Sequence, residues 1–261
     1  MKSRLMISQK KERENNMECI LLAAGYATRL YPLTKDKPKA LLTMGNKTIL
    51  DWVVDKIEVI PEINHIYIVT NHRFAGQFED WKKTYSGAKK VVVLDDGTTD
   101  NDNRLGAIGD MKYVIDREKI DDEIFVLASD NIFDFALTDM VDMYREKNCD
   151  LISAHYVKDL VDLQQMGVVE MNEDKQVIGF EEKPQNPKSS YGAPPFYLYK
   201  KETLALIDQY LKEGNNPDAP GHLIPWLIER TPVYAYTFDV MTIDIGTPKT
   251  YYEAQKLFEN K

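Results

Sequence analysis

The sequence predicts an α/β fold, with a mostly parallel mixed central sheet flanked by helices. Three observations carry that expectation. From Glu18 to about Asp150, short apolar runs alternate with amphipathic stretches. Such a βαβα rhythm builds a mainly parallel sheet with helices on both faces, and ligands then bind at the carboxyl ends of the strands. After Asp150 the texture turns β-rich, so a mixed region extends the sheet. Finally, 261 residues with 43% hydrophobic content can bury a sizeable core as one large domain.

The elements follow in order. CILLAA, from Cys19 to Ala24, reads as an interior strand, and the amphipathic stretch Thr48 to Ile60 as a helix. IYIVT, then Phe74 to Ser86, then VVVL repeat the unit. The next segment, DDGTTDNDNR, is polar and long enough for a binding loop rather than a tight turn. Leu105 to Ile115, IFVLAS and Phe135 to Glu146 complete the first part. LISAHYV, GVVEMN, QVIGFEEK and PPFYLY are β-type segments, followed by helical patterns at Lys200 to Lys212 and His222 to Glu229 and by a last strand and helix. No internal repeat occurs. Residues 1–16 are polar with a net charge of +3 and read as a flexible basic extension. Residues 17–261 form a single domain on this reading, with 17–150 and 151–261 as its two parts.

Charge narrows the function. A net charge of −9 and a pI near 5.1 argue against sequence-independent nucleic-acid binding, which depends on neutralising phosphates. A nucleotide remains accessible through a few local cations and a divalent metal. Cys19 and Cys149 stand alone, which supports neither a disulfide framework nor a thiolate zinc site and suggests a reduced cytoplasmic compartment. No apolar run approaches the roughly 20 residues of a membrane span, and the N-terminus lacks a signal peptide's apolar core.

Candidate chemistry starts at Leu22 to Leu42, LAAGYATRLYPLTKDKPKALL. Ile20, Leu21 and Leu22 end a strand, Ala23, Ala24, Gly25 and Ala27 leave room for a ligand near the backbone, and Arg29 and Lys39 add positive charge. Neither a GxxxxGK[ST] run nor a GxGxxG fingerprint is present. Asp130 follows IFVLAS and projects from a strand's carboxyl end; an Asx turn is the alternative. Asp244 lies between two isoleucines ahead of Gly246, Thr247 and Pro248, which read as turn, N-cap and first helical residue. Capping leaves Asp244 unexplained, which favours a metal role. Glu181, Glu182, Lys183 and Pro184, taken alone, read as a solvated strand exit.

Read in order, these elements resemble a known family. LAAGYATRLYPLTKDKPKALL is similar to the N-terminal signature of the sugar-phosphate nucleotidyltransferases, approximately LAxGxGTRLxPLTxxxPKxLL. SDN at Ser129 to Asn131, Gly167, EKP at Glu182 to Pro184 and DIGTP at Asp244 to Pro248 follow in the family's order. The family includes thymidylyltransferase-like and guanylyltransferase-like members. The resemblance implies a Rossmann-like fold and Mg²⁺-dependent transfer of a nucleotidyl group from an NTP to a sugar 1-phosphate. It implies that Leu22, Ala24, Gly25, Thr28 and Gly106 lie against the nucleotide and that Arg29 and Lys39 contact its phosphates. It assigns Asp130 and Asp244 to Mg²⁺, Gly167 and Glu182 to the sugar, and Lys183 to the sugar's phosphate. A homo-oligomer is also in keeping with the family. A glycosyltransferase and a non-catalytic nucleotide-sugar binding module are the competing readings; SDN with a distant DIGTP, in place of a DxD motif, disfavours the first.

Departures from the pattern fall near the substrates. Ala27 occupies the signature's second glycine and is expected to keep φ below zero. Ser190 and Pro195 replace an Asn and a Gly beside the sugar position, and DDGTTDNDNRLGAIGD replaces the usual base-contacting run. Base and acceptor are therefore open.

Overall fold

The computed structural model describes residues 16–239 and 242–258, with the backbone alone at 242–244. The basic stretch 1–15 lies outside the described residues. The chain enters on β1 (Met17–Leu22) and passes through a small hairpin, β2 (Thr43–Met44) and β3 (Lys47–Thr48), into α1 (Ile49–Glu58). Thr48 caps α1 with a reciprocal box, its hydroxyl accepting from Asp51 N while Asp51 accepts from Thr48 N. β4 (Ile63–Thr70), α2 (Ala75–Thr84), β5 (Lys90–Asp95), α3 (Ala107–Glu118), β6 (Glu123–Ala128), β7 (Asn131–Phe133) and α4 (Leu137–Lys147) follow the expected alternation. The second part comprises β8 (Asp150–Tyr156), α5 (Leu160–Leu163), β9 (Gly167–Met171), β10 (Val177–Glu182), β11 (Tyr191–Ala193), β12 (Phe196–Tyr199), α6 (Thr203–Lys212), α7 (Leu223–Leu227), β13 (Val233–Phe238), β14 (Thr242–Asp244) and α8 (Pro248–Phe258).

Ten of these strands form one sheet in the order β10-β9-β11-β8-β12-β6-β1-β4-β5, with β13 beside β8. β1, β4, β5, β6, β8, β9 and β13 run one way, and β10, β11 and β12 run against them. The β-rich second part therefore continues the first sheet through β12, which pairs with both β6 and β8.

Strand alternation distributes the core over both faces. Cys19, Leu21, Ile66, Ile68, Phe125 and Leu127 pack against α1, α2 and α4, whereas Ile20, Tyr67, Val69, Ile124 and Val126 pack against α3, α6 and α7. A third apolar cluster bears directly on the site. Tyr251, Ala254 and Phe258 of α8 pack with Leu30, Leu42, Met44, Ile132 and Ile245, and Tyr251 donates to Thr43 O at 2.7 Å. α8 begins at Pro248 behind an N-cap Thr247 whose hydroxyl accepts from Thr250 N, as the sequence predicts. This seam carries the preceding β14 onto β7, with Asp244 opposite Asn131.

Candidate functional site

The parallel strands β1 and β6 end side by side, and the loop after β1 folds over their carboxyl ends. A cleft of about 140 Å³ opens there, lined in part by Leu22, Gly25, Arg29, Lys39, Asp130 and Gly246. Neighbouring strands fix the loop's backbone. Ser129 donates to Leu22 O through both N (3.1 Å) and Oγ (2.8 Å), Ala23 N donates to Val69 O at 2.9 Å, and buried Asn71 donates its Nδ2 to Ala24 O at 2.9 Å. Gly25 is left exposed at the mouth, with nothing within 4 Å of where a Cβ would sit. Its lack of a side chain thus keeps the backbone approachable.

Ala27 departs from expectation. It adopts φ 46°, ψ 44°, the left-handed region that its sequence reading excluded. The strain of roughly 1–2 kcal/mol is held by its own carbonyl, which accepts from buried Thr34 Oγ1 at 2.8 Å and from Leu30 N at 3.0 Å. The loop therefore keeps the turn its family signature builds with glycine.

Positive and negative charge meet in the cleft. Lys39, only 10% exposed, places Nζ 3.0 Å from Asp130 Oδ2, and the Asp130 side chain is 33% exposed. Arg29 is exposed on the short 3₁₀ turn Thr28–Leu30, where Thr28 is exposed beside it. The Asp244 side chain lies outside the described residues, but its backbone stands opposite the residue after Asp130.

Gly167, Glu182 and Lys183 gather at the β9–β10 edge of the sheet and are not among the residues lining the cleft. Gly167 and Glu182 are directly paired across β9 and β10, and a Cβ on Gly167 would lie 2.4 Å from the Phe180 ring. Glu182 is no solvated strand exit. Its side chain is 15% exposed, and burial raises its carboxyl above the ordinary range while Lys183 and His222 pull it back. Lys183 is exposed at φ 48°, with Nζ 3.8 Å from Glu182 Oε1; its N donates to Met166 O. Gly106 lines neither group. It caps α3 at φ 80°, pressed against Pro217 O, which a Cβ would approach to 2.5 Å.

The sequence profile of the nucleotidyl transferase family matches residues 18–261. The chain belongs to this family. Among its curated relatives, the bifunctional protein GlmU of Methanocaldococcus jannaschii is 26% identical over 94% of this chain and 55% of that protein. Glucose-1-phosphate adenylyltransferase 1 of Vibrio cholerae is 26% identical over 90% of this chain and 64% of that protein. The chain thus spans roughly three fifths of the relatives it matches. Among solved structures, a UDP-glucose pyrophosphorylase complexed with UDP-glucose superposes with a TM-score of 0.78 at 19% identity, covering 93% of this chain and 98% of that one, and so shares the fold.

One residue that shapes this nucleotidyl transferase's cleft carries no signal in the sequence. Asn71 acts through a contact 47 residues away, and no motif marks it; Thr34 lies inside the Leu22–Leu42 segment and holds Ala27 O, seven residues back. The replaced base loop is tied internally: Asp95 Oδ1 accepts from Gly97 N, Asp96 Oδ1 from Thr98 N and Oγ1, and Asn103 Oδ1 from Thr99 N and Asp100 N. Behind it Asp110 is 5% exposed, its Oδ1 and Asp96 Oδ2 buried without a donor. Burial, then the Asp96 charge and the hydrogen bond between the two carboxyls, raises Asp110 to about 8. Asp110 therefore keeps its proton at neutral pH, beside Asp96.

Proposed function

We propose that the protein transfers a nucleotidyl group from an NTP to a sugar 1-phosphate or a similar phosphorylated alcohol, with release of pyrophosphate. One observation supports this reading above the others: an open glycine backbone, Arg29, Lys39 and Asp130 meet in a single cleft at the strand ends. That set suits a triphosphate, whose charge needs fixed cations and approachable amides. On this reading 17–150 serves the nucleotide and 151–261 the sugar phosphate. Leu22, Ala24, Gly25 and Thr28 shape the nucleotide side, with Gly106 set back at the start of α3, Arg29 and Lys39 meet its phosphates, Gly167 and Glu182 the sugar, and Lys183 the sugar's phosphate. The cysteines are free and no described helix is long and apolar enough to cross a membrane; the free thiols suit a cytoplasmic setting.

The partly exposed Asp130 carboxylate and the registered Asp244 backbone fit Mg²⁺. This hard cation is commonly held by one or two carboxylates together with substrate phosphates and water. Bound there, it supplies charge neutralisation on the triphosphate and the leaving pyrophosphate. The remaining work falls to the protein. A phosphate oxygen of the sugar 1-phosphate attacks the α-phosphorus in line, and no general base is needed because a phosphate monoester loses its second proton near about pH 6. Positioning and cationic stabilisation then suffice. Lys39, paired with Asp130, would contact the triphosphate, and the Asp130 carboxylate would hold the cation.

The test is pyrophosphate release from each of five NTPs with Mg²⁺ and a panel of sugar 1-phosphates. Turnover with at least one pair is expected, and Asp130→Ala or Asp244→Ala should lower it by at least about 100-fold. Silence across the panel from folded protein would overturn the reading. Tight nucleotide-sugar binding without turnover would support a binding module instead.

A further inference from the structure

A short segment links the start of α3 to the Glu182 side chain. Asn215–His222 runs between α6 and α7 and touches both the α3 N-terminus and Glu182. At the α3 end, Ala107 N donates to Asp218 O at 3.0 Å and Ile108 N to Pro217 O at 2.9 Å. Helix N-terminal amides are ordinarily free to meet an anion; here two of them hold the segment. Arg104 Nη2 adds an ion pair to Asp218 Oδ1 at 2.9 Å. Gly106 permits the close approach, since a side chain there would meet Pro217 O. The middle is fixed by Tyr210, whose single hydroxyl proton lies between two carbonyls, Asn216 O at 2.8 Å and His222 O at 3.1 Å. At the other end, buried Gly221 lies so near the acceptor wall that a Cβ would stand 2.2 Å from Glu182 Oε2 and 2.7 Å from the Phe180 ring.

We propose that Asn215–His222 is a strap that positions the Glu182 carboxylate from the nucleotide side of the cleft, with Gly221 as the positioning residue. The segment is anchored to the helix that follows the candidate base loop, and its glycine bounds the space into which Glu182 swings. Any side chain at 221 moves the carboxylate first, because it is the nearest atom and the end of a flexible side chain, while the Phe180 ring beside it is packed in the core. The inference rests on the proposed role of Glu182 toward the sugar.

The test is a double-variant cycle of Gly221→Ala and Glu182→Ala, read as separate KM values for the sugar 1-phosphate and the NTP. Displacing a positioning group by about 1 Å costs up to about 100-fold. Gly221→Ala should therefore raise the acceptor KM by about tenfold or more and leave the NTP KM within about twofold. In the Glu182→Ala background the same change should have no further effect on the acceptor KM. Equal effects in both backgrounds, or an unchanged acceptor KM, would overturn the proposal. A crystal structure of Gly221→Ala gives an answer without turnover. Movement of Glu182 Oε2 by about 1 Å or more supports the strap, and an unmoved carboxylate overturns it, even if the proposed reaction itself fails its own assay.

Discussion

Raising the pH from 6 to 9 should remove the proton that buried Asp110 keeps in the fold. Asp110 titrates near 3.8 unperturbed and near 8 in the fold. A carboxyl raised in this way binds more protons folded than unfolded. Its stabilising contribution is therefore complete below the unfolded value and is lost as pH rises through the folded value. Between pH 6 and 9 about two units of that interval are titrated, which at about 1.4 kcal/mol per unit gives a loss near 3 kcal/mol. For a chain of this size about 2–4 °C accompany each kcal/mol, so the melting temperature should fall by roughly 6–12 °C. Asp110→Asn is the comparison, since its amide stays neutral and donates to Asp96. Other groups titrate nearby, including Asp150, raised to about 6 chiefly by burial, and His155, lowered by burial. Both are common to the two proteins, so the difference between the melting curves isolates Asp110. Calorimetry at constant ionic strength should show the variant's stability relative to the wild type rising by about 3 kcal/mol between pH 6 and pH 9. Parallel profiles across the whole range would refute the raised Asp110 carboxyl.

Three further outcomes are expected. Ala27→Gly relieves left-handed strain but gains chain entropy on unfolding, so urea titration should show it equal to or up to about 1 kcal/mol more stable than wild type; a loss beyond about 1 kcal/mol would contradict the assigned φ. Asn71→Ala leaves Ala24 O without its donor, and a cost of about 1–3 kcal/mol together with a raised NTP KM is expected; unchanged values for both would show that the loop does not depend on Asn71. Native protein should react with a thiol reagent at Cys149 only. Cys19 is buried and its thiol raised by burial, so labelling before unfolding would disprove its inertness.

How much of this was legible follows from the range of each interaction. Local signals were sufficient for the strands and helices of the first part, for the turn, cap and first helical residue at Gly246, Thr247 and Pro248, and for the charged loop from Leu22 to Leu42. Asp130 was legible because a carboxylate at a strand's carboxyl end faces the ligand crevice wherever the sheet is parallel. Asn71 was not, because nothing near it in sequence shows that Ala24 O, 47 residues earlier, needs a donor. Gly221 is hidden for the same reason, its meaning lying in the Glu182 side chain across the sheet. Asp110 looks like an ordinary acid in a helix's first turn until packing removes its water and sets it beside Asp96.

The error at Ala27 shows how tertiary contacts override a local rule. Five described non-glycine residues have positive φ: Ala27, Lys119, Asn148, Lys175 and Lys183. Lys119 and Asn148 end α3 and α4, and Lys175 closes the turn between β9 and β10 through its N–H to Asn172 O. Left-handed residues are routine in such places. Ala27 and Lys183 end no helix and close no hairpin; each lies in a segment proposed to meet substrate, and each is fixed by a neighbour, Ala27 through Thr34 and Lys183 through Met166 O. Strain persists where the surroundings over-determine it. The two outliers thus fall, on conformational grounds alone, in the two segments proposed to meet nucleotide and acceptor, the same segments that Lys39, Asp130 and Glu182 single out by charge.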